Sequence, residues 1–97
     1  MISIFEFADI IKQDLVIRYY SNQKGRFCVN LENCEVSENI CLASVHGNGK
    51  TVDAAINDYI SKIKGKTIVF EATSERRKEF GVPDDLSSTM PSQTLAR

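Results

Sequence analysis

The sequence lacks a disulfide framework, a second histidine and any long apolar run. Its three cysteines are an odd number, and its first six residues have neither the basic start nor the apolar stretch of a signal peptide. No segment approaches the roughly 20 apolar residues that a membrane-spanning helix needs. These absences predict a protein of the reducing cytoplasm with no membrane partner.

The chain also lacks a strong charge of either sign. Its net charge is −1, which provides no overall basic field for nucleic acid and no extreme acidity of the kind that mimics DNA. A length of 97 residues is enough for one domain with its own core, and it leaves little room for a large active-site cleft.

The first half of the chain predicts one helix followed by strands. Apolar residues recur at helical spacing over residues 3–13, with Ser3 as the N-cap. Period-two alternation then predicts strands over residues 14–20 and 26–32, joined by a turn at residues 21–25. Residues 33–38 are polar and predict a turn, and a third strand is expected over residues 40–45.

The clearest local pattern is a glycine turn followed by an amphipathic helix. Residues 47–51 read Gly-Asn-Gly-Lys-Thr, Thr51 is a good N-cap, and Gly65 supplies a left-handed stop after Ile63. A fourth strand over residues 66–72 and a short helix over residues 74–80 follow. The prediction is an α+β fold in the order α-β-β-β-α-β-α, with a three-to-four-stranded antiparallel sheet covered by helices on one face. Residues 1–83 form the single domain, and residues 84–97 are a mobile C-terminal tail.

Two motifs suggest chemistry, and both have a simpler structural interpretation. Residues 44–51 end like a phosphate-binding loop, although Ser44 stands where the first glycine belongs, so a turn and a helix cap explain them better. The alternative of a weak anion site at Lys50 and the start of the helix stays open. The three cysteines and His46 lack the close spacing of zinc ligands; Cys28 and Cys41 are expected to pack on strands and Cys34 to be exposed. We therefore predict no catalytic residue, no cofactor and no metal.

Binding candidates are basic or aromatic. A basic strip over residues 62–78 would contact phosphates or an acidic protein patch, although glutamates lie within it and beside it and favour a solvated surface. Tyr20 is out of phase with Leu15 and Ile17 and is expected to be exposed, where it would offer a stacking surface. The candidate residues are Lys50, Lys62, Lys64, Lys66, Arg76, Arg77, Lys78 and Tyr20.

Two known families share parts of this pattern. Three strands, then Gly49-Lys50-Thr51 and Ala54-Ala55-Ile56, then a strand resemble the HicB-type antitoxin domain. The order helix-strand-strand-strand-helix, with Gly47-Asn48-Gly49-Lys50-Thr51 before the last helix, is similar to a double-stranded RNA-binding domain. Val52 and Asp53 stand where that family places paired lysines. Residues 14–83 also look like small proteins of phages and prophages of Gram-positive bacteria. These resemblances imply no catalytic residue.

The functional prediction is a non-enzymatic, phage-type binding protein. It is expected to dock a sheet face or its basic C-terminal region on a host or phage protein, as an inhibitor or anti-defence factor. The alternative is a nucleic-acid-binding accessory protein that uses the basic strip at residues 62–78. Homodimerisation stays open, because a small sheet leaves strand edges exposed.

Overall fold

Two helices begin at the N-caps that the sequence predicts, and the second ends just before Gly65. The computed structural model describes residues 2–39 and 41–89. Helix α1 spans Ile4–Ile11 behind a capping box, in which the Ser3 hydroxyl accepts from the Glu6 amide and the Glu6 carboxylate accepts from the Ser3 amide. Helix α2 spans Val52–Ile63, and the Thr51 hydroxyl accepts from the Ala54 amide at 3.0 Å. Both helices are confirmed.

The strands form two antiparallel sheets. The strand bounds are β1 Leu15–Tyr20, β2 Arg26–Leu31, β3 Cys34–Glu38, β4 Cys41–Ala43, β5 Gly47–Gly49, β6 Thr67–Phe70 and β7 Lys78–Gly81. Sheet 1 has the order β1-β2-β5 and sheet 2 has the order β4-β3-β6-β7. The α+β class is confirmed, and the predicted single sheet is divided into these two.

Two predicted elements were wrong. Residues 33–38 are not a turn, because only Glu32 and Asn33 turn the chain and β3 then takes a central place between β4 and β6. Residues 74–80 are not a helix, because Lys78 and Phe80 pair with Phe70 and Ile68 of β6. In both segments the ladder supplies hydrogen-bond partners that outweigh local propensity. The element order is therefore α-β-β-β-β-β-α-β-β.

The glycine turn forms strand β5 beneath helix α2. Gly47 pairs with Val29 and Gly49 pairs with Phe27 of β2. A Cβ atom at Gly47 would overlap the Ala55 carbonyl and the Tyr59 side chain, and one at Gly49 would meet the Ala55 amide at 2.6 Å. These glycines are therefore explained by close contact between strand and helix.

One hydrophobic core joins both helices and both sheets. Helix α2 packs most closely on β5 and β2, with Tyr59 and Ile63 almost completely buried. The core takes Val29 and Leu31 from sheet 1 and Ile68 from sheet 2. Sheet 1 therefore carries its helix over β5 and β2, which leaves β1 at the uncovered side.

The packed part of the chain extends beyond the predicted boundary at residue 83. Leu86 is buried in the core, and Ser87 exchanges backbone hydrogen bonds with Ile2 and Ile4 beside the start of α1. Residues 84–89 are thus attached to the domain and are not the start of a mobile tail. The rest of the predicted tail, residues 90–97, lies outside the described residues.

Candidate protein interface

Most cations of the predicted basic strip are engaged in ion pairs. Lys62 contacts Asp58 at 3.0 Å, and Arg77 contacts Glu79 at 2.8 Å. Lys66 contacts Glu38 at 3.4 Å, and Arg76 contacts Glu71 at 3.5 Å. Among the described residues, only Lys64 and Lys78 of the six have no ion pair.

The six cations are also spread over different parts of the fold. Lys66 precedes β6, whereas Lys78 pairs with Phe70 at the far end of the same ladder. Four residues of strand separate them by about 14 Å, which exceeds the screening length of about 8 Å at physiological ionic strength. Four of the six cations are thus paired with nearby carboxylates, and contact of the strip with phosphates or with a protein patch stays a prediction.

The cysteines do not form a site with His46. Cys28 and Cys34 are buried and Cys41 is exposed, which reverses the exposure expected for Cys34 and Cys41. Burial raises the pKa of Cys34 to about 11, so its thiol stays protonated. Within residues 2–39 and 41–89, no group of three or more His, Cys, Asp or Glu side chains could hold a metal ion.

Strand β1 is an open edge of sheet 1 and exposes apolar side chains. Ile17 is 44% exposed and Tyr19 is 58% exposed. Their partners across the strand pair are Val29, which is fully buried, and Phe27, whose ring centre lies 4.9 Å from that of Tyr19. This face is therefore the core face of the sheet. It is partly exposed at β1 because α2 packs mainly on the other two strands.

The backbone of the same residues is directed outward. The Glu32 amide donates to the Asp14 carbonyl at 2.9 Å, which makes these two residues a hydrogen-bonded pair. Hydrogen-bonded pairs alternate along an antiparallel ladder, so Val16, Arg18 and Tyr20 direct their backbone groups toward β2. Ile17 and Tyr19 consequently direct theirs toward the open edge.

Three cations without ion pairs lie near the turn of the β1–β2 hairpin. Lys24 lies in the hairpin turn, Arg26 begins β2, and Lys50 follows β5; together they line a cavity of about 280 Å³. None of the three has an ion pair within the described residues. The Arg26 guanidinium lies 5.5 Å from the centre of the Tyr20 ring, and its Nε atom is buried without a hydrogen-bond partner. We call these three residues the hairpin cations.

Tyr20 lies on the opposite face of sheet 1 from Tyr19. It is half-buried and lines a cavity of about 500 Å³ with Arg26, Lys62 and residues 44–46, so Tyr19 is the tyrosine that is exposed. Residues 44–46 line this cavity together with Cys28 of β2. The prediction of an exposed Tyr20 was wrong because strand alternation cannot indicate which distant residues lie beside a side chain.

The Asp58 carboxylate binds two residues that line this cavity, Asn48 and Lys62. Asp58 accepts a hydrogen bond from the Asn48 amide at 2.8 Å and pairs with Lys62, which also donates to the His46 carbonyl. The Asn48 hydrogen bond is the main cause that lowers the pKa of Asp58, with Lys62 contributing. Lys62 is therefore a structural cation that fastens α2 to the chain before β5.

The described helices and the comparisons give no further assignment. No helix in residues 2–39 and 41–89 is long and apolar enough to span a membrane. The chain matches no protein-family model, no curated protein and no solved structure. The resemblances to HicB-type antitoxins, RNA-binding domains and phage proteins therefore stay predictions.

Proposed function

We propose that this chain is a non-enzymatic binding protein that docks another protein at the edge of β1. The observation that carries the proposal is the combination of outward backbone groups and exposed apolar side chains at Ile17 and Tyr19. An extended segment of a partner would pair with this edge, and its apolar side chains would extend the core face of sheet 1. An uncovered edge of this kind is otherwise a liability for aggregation.

Length favours β1 over the other edge strands. Strands β4 and β5 have three residues each and β7 has four, whereas β1 has six. A longer strand offers more main-chain hydrogen bonds and alternate side-chain contacts to a partner. We assign no catalytic role, since His46 takes part in hydrogen bonds through its carbonyl oxygen and not through its ring.

Affinity capture with matched variants tests this function. The tagged protein is compared with an Ile17→Lys, Tyr19→Lys variant and with an Asn57→Lys control on the exposed side of α2. We expect the wild type and the control to capture the same protein and the β1 variant to lose it, because charged side chains on an edge oppose strand addition. Equal capture by all three proteins, with each folded by circular dichroism, would contradict the proposal.

A second candidate function rests on the hairpin cations. Three cations without ion pairs, of which Arg26 has a buried Nε atom that lacks a hydrogen-bond partner, favour contact with phosphate groups of a nucleic acid. This proposal moves the phosphate contacts from residues 62–78 to Lys24, Arg26 and Lys50. Titration with short DNA and RNA at two salt concentrations tests it: binding should weaken steeply with salt and be lost in a Lys24→Glu, Lys50→Glu variant. Salt-insensitive binding, or none, would contradict it.

A further inference from the structure

A groove between the end of α1 and strand β7 combines an apolar floor with a basic rim. It encloses about 380 Å³. Ile10 forms one side and is 66% exposed, more than the other exposed large apolar side chains of the described chain. Phe70 and Phe80 form the other side, where β6 and β7 pair. Phe70 is itself buried in the core, so the apolar surface that a partner can bury comes from the exposed Ile10 and the half-buried Phe80.

The rim of the groove is positively charged. Lys12, Arg76 and Lys78 lie around it, and no Asp or Glu is among the residues that line it. Lys12 is placed there because α1 stops at this residue, which has a left-handed φ of 60°. Lys12 and Lys78 have no ion pair within the described residues, and Arg76 lies 5.9 Å from the Phe70 ring centre while it contacts Glu71.

We infer that this groove binds an acidic segment of a partner protein that carries apolar side chains. The apolar side chains would contact Ile10 and Phe80, and the carboxylates would lie near Lys12 and Lys78. The charge of the rim decides the occupant, because it repels a basic segment and is matched by an acidic one. Residues 90–97 of this chain contain no Asp or Glu, so they do not offer that complement.

The groove is a second interaction surface and does not rest on the proposed role of β1. Its residues lie in α1, in the two residues that follow α1, in sheet 2 and in the turn before β7, whereas Ile17 and Tyr19 belong to sheet 1. The two surfaces can therefore be altered one at a time, and failure of one proposal leaves the other standing.

Selection from a random peptide library against the whole chain tests the inference. We expect the selected peptides to be rich in Asp, Glu and large apolar residues. A selected peptide should shift the amide resonances around Ile10 and Phe80, and a version with Gln and Asn in place of its acids should bind more weakly. Its affinity should fall about tenfold, or about 1.4 kcal/mol, in a Lys12→Glu, Lys78→Glu variant at low salt.

Two variants serve as controls. Lys24→Glu changes another exposed lysine with a left-handed φ of 62° and should leave peptide affinity unchanged. Ile17→Ser on β1 should also have no effect, whereas Ile10→Ser should weaken binding. The inference is overturned if no acidic apolar peptide is selected, or if the Lys24 variant loses as much affinity as the double variant. Resonance shifts around the groove with a short RNA or DNA duplex but with no peptide would overturn it as well.

Discussion

Replacing Tyr59 with phenylalanine is expected to destabilise the fold, although it removes a single oxygen atom. The Tyr59 hydroxyl accepts a hydrogen bond from the Leu31 amide at 2.9 Å, and both residues are almost completely buried. Leu31 lies opposite Leu15 in a pair that is not hydrogen-bonded, so its amide is directed toward β5. Strand β5 begins at Gly47, which pairs with Val29, so it does not extend far enough to pair with Leu31. The Tyr59 hydroxyl therefore accepts the hydrogen bond that a strand carbonyl would otherwise accept.

The expected loss of stability follows from the Leu31 amide, which has no acceptor once the Tyr59 hydroxyl is removed. A buried amide without an acceptor costs about 1–3 kcal/mol. For a small protein that loses about 1–3 kcal/mol of stability per molar urea, the unfolding midpoint should fall by about 1 M. The matched control is Tyr19→Phe, because Tyr19 is 58% exposed and its hydroxyl has no hydrogen bond within the described residues. An unchanged midpoint for Tyr59→Phe, or an equal shift for both variants, would refute this account.

The same residue predicts a pH dependence. Burial raises the pKa of Tyr59 from 10.0 to about 12. Between these values the unfolded chain has released a proton that the folded chain retains, so the free energy of unfolding falls as pH rises. Above pH 10, wild type should therefore lose stability faster than Tyr59→Phe. An equal loss of unfolding free energy with pH in the two proteins would contradict the burial of this hydroxyl.

Three further predictions concern packing and exposure. Gly47→Ala should lower the free energy of unfolding by at least about 2 kcal/mol, because the added Cβ would overlap α2. Its control is Gly81→Ala, whose Cβ meets nothing within 4 Å and which should leave the urea midpoint unchanged. Cys41 should react first with a thiol reagent at pH 8, and Cys34 should react only as the protein unfolds, since it is buried and its pKa is raised to about 11. Leu86→Ala should lower the stability by about 2 kcal/mol in a urea melt, because this side chain belongs to the core; a change near zero would show that residues 84–89 are not docked.

The two helices were predictable because local signals decide them. The Ser3 and Thr51 caps and the apolar faces behind them depend on neighbours within a few residues. Strand β7 was not predictable in this way, because Arg76, Arg77 and Lys78 favour a helix locally and become strand and turn only by pairing with β6. Strand β3 was missed for a similar reason, although Cys34 and Val36 do alternate inward.

The candidate surfaces depend on which strand lies at an edge, and sequence does not carry that information. The alternation of Ile17 and Tyr19 with Arg18 predicts a strand with one apolar face, but not that α2 leaves this part of the face uncovered. In the same way, Lys12 and Lys78 lie far apart in the chain and line one groove only after α1 and β7 have been placed. The sequence therefore predicts the kind of residue that we propose for binding, but not the surface on which that residue lies.

Site-specific photo-crosslinking at β1 tests the central proposal most directly. A photoreactive phenylalanine is placed at position 17, at position 19, or at position 57 on the exposed side of α2, and each protein is irradiated in cells that express it. Docking at the β1 edge predicts a discrete adduct with one protein from positions 17 and 19 and none from position 57. Absence of a protein adduct from β1, or the same adducts from all three positions, would contradict it.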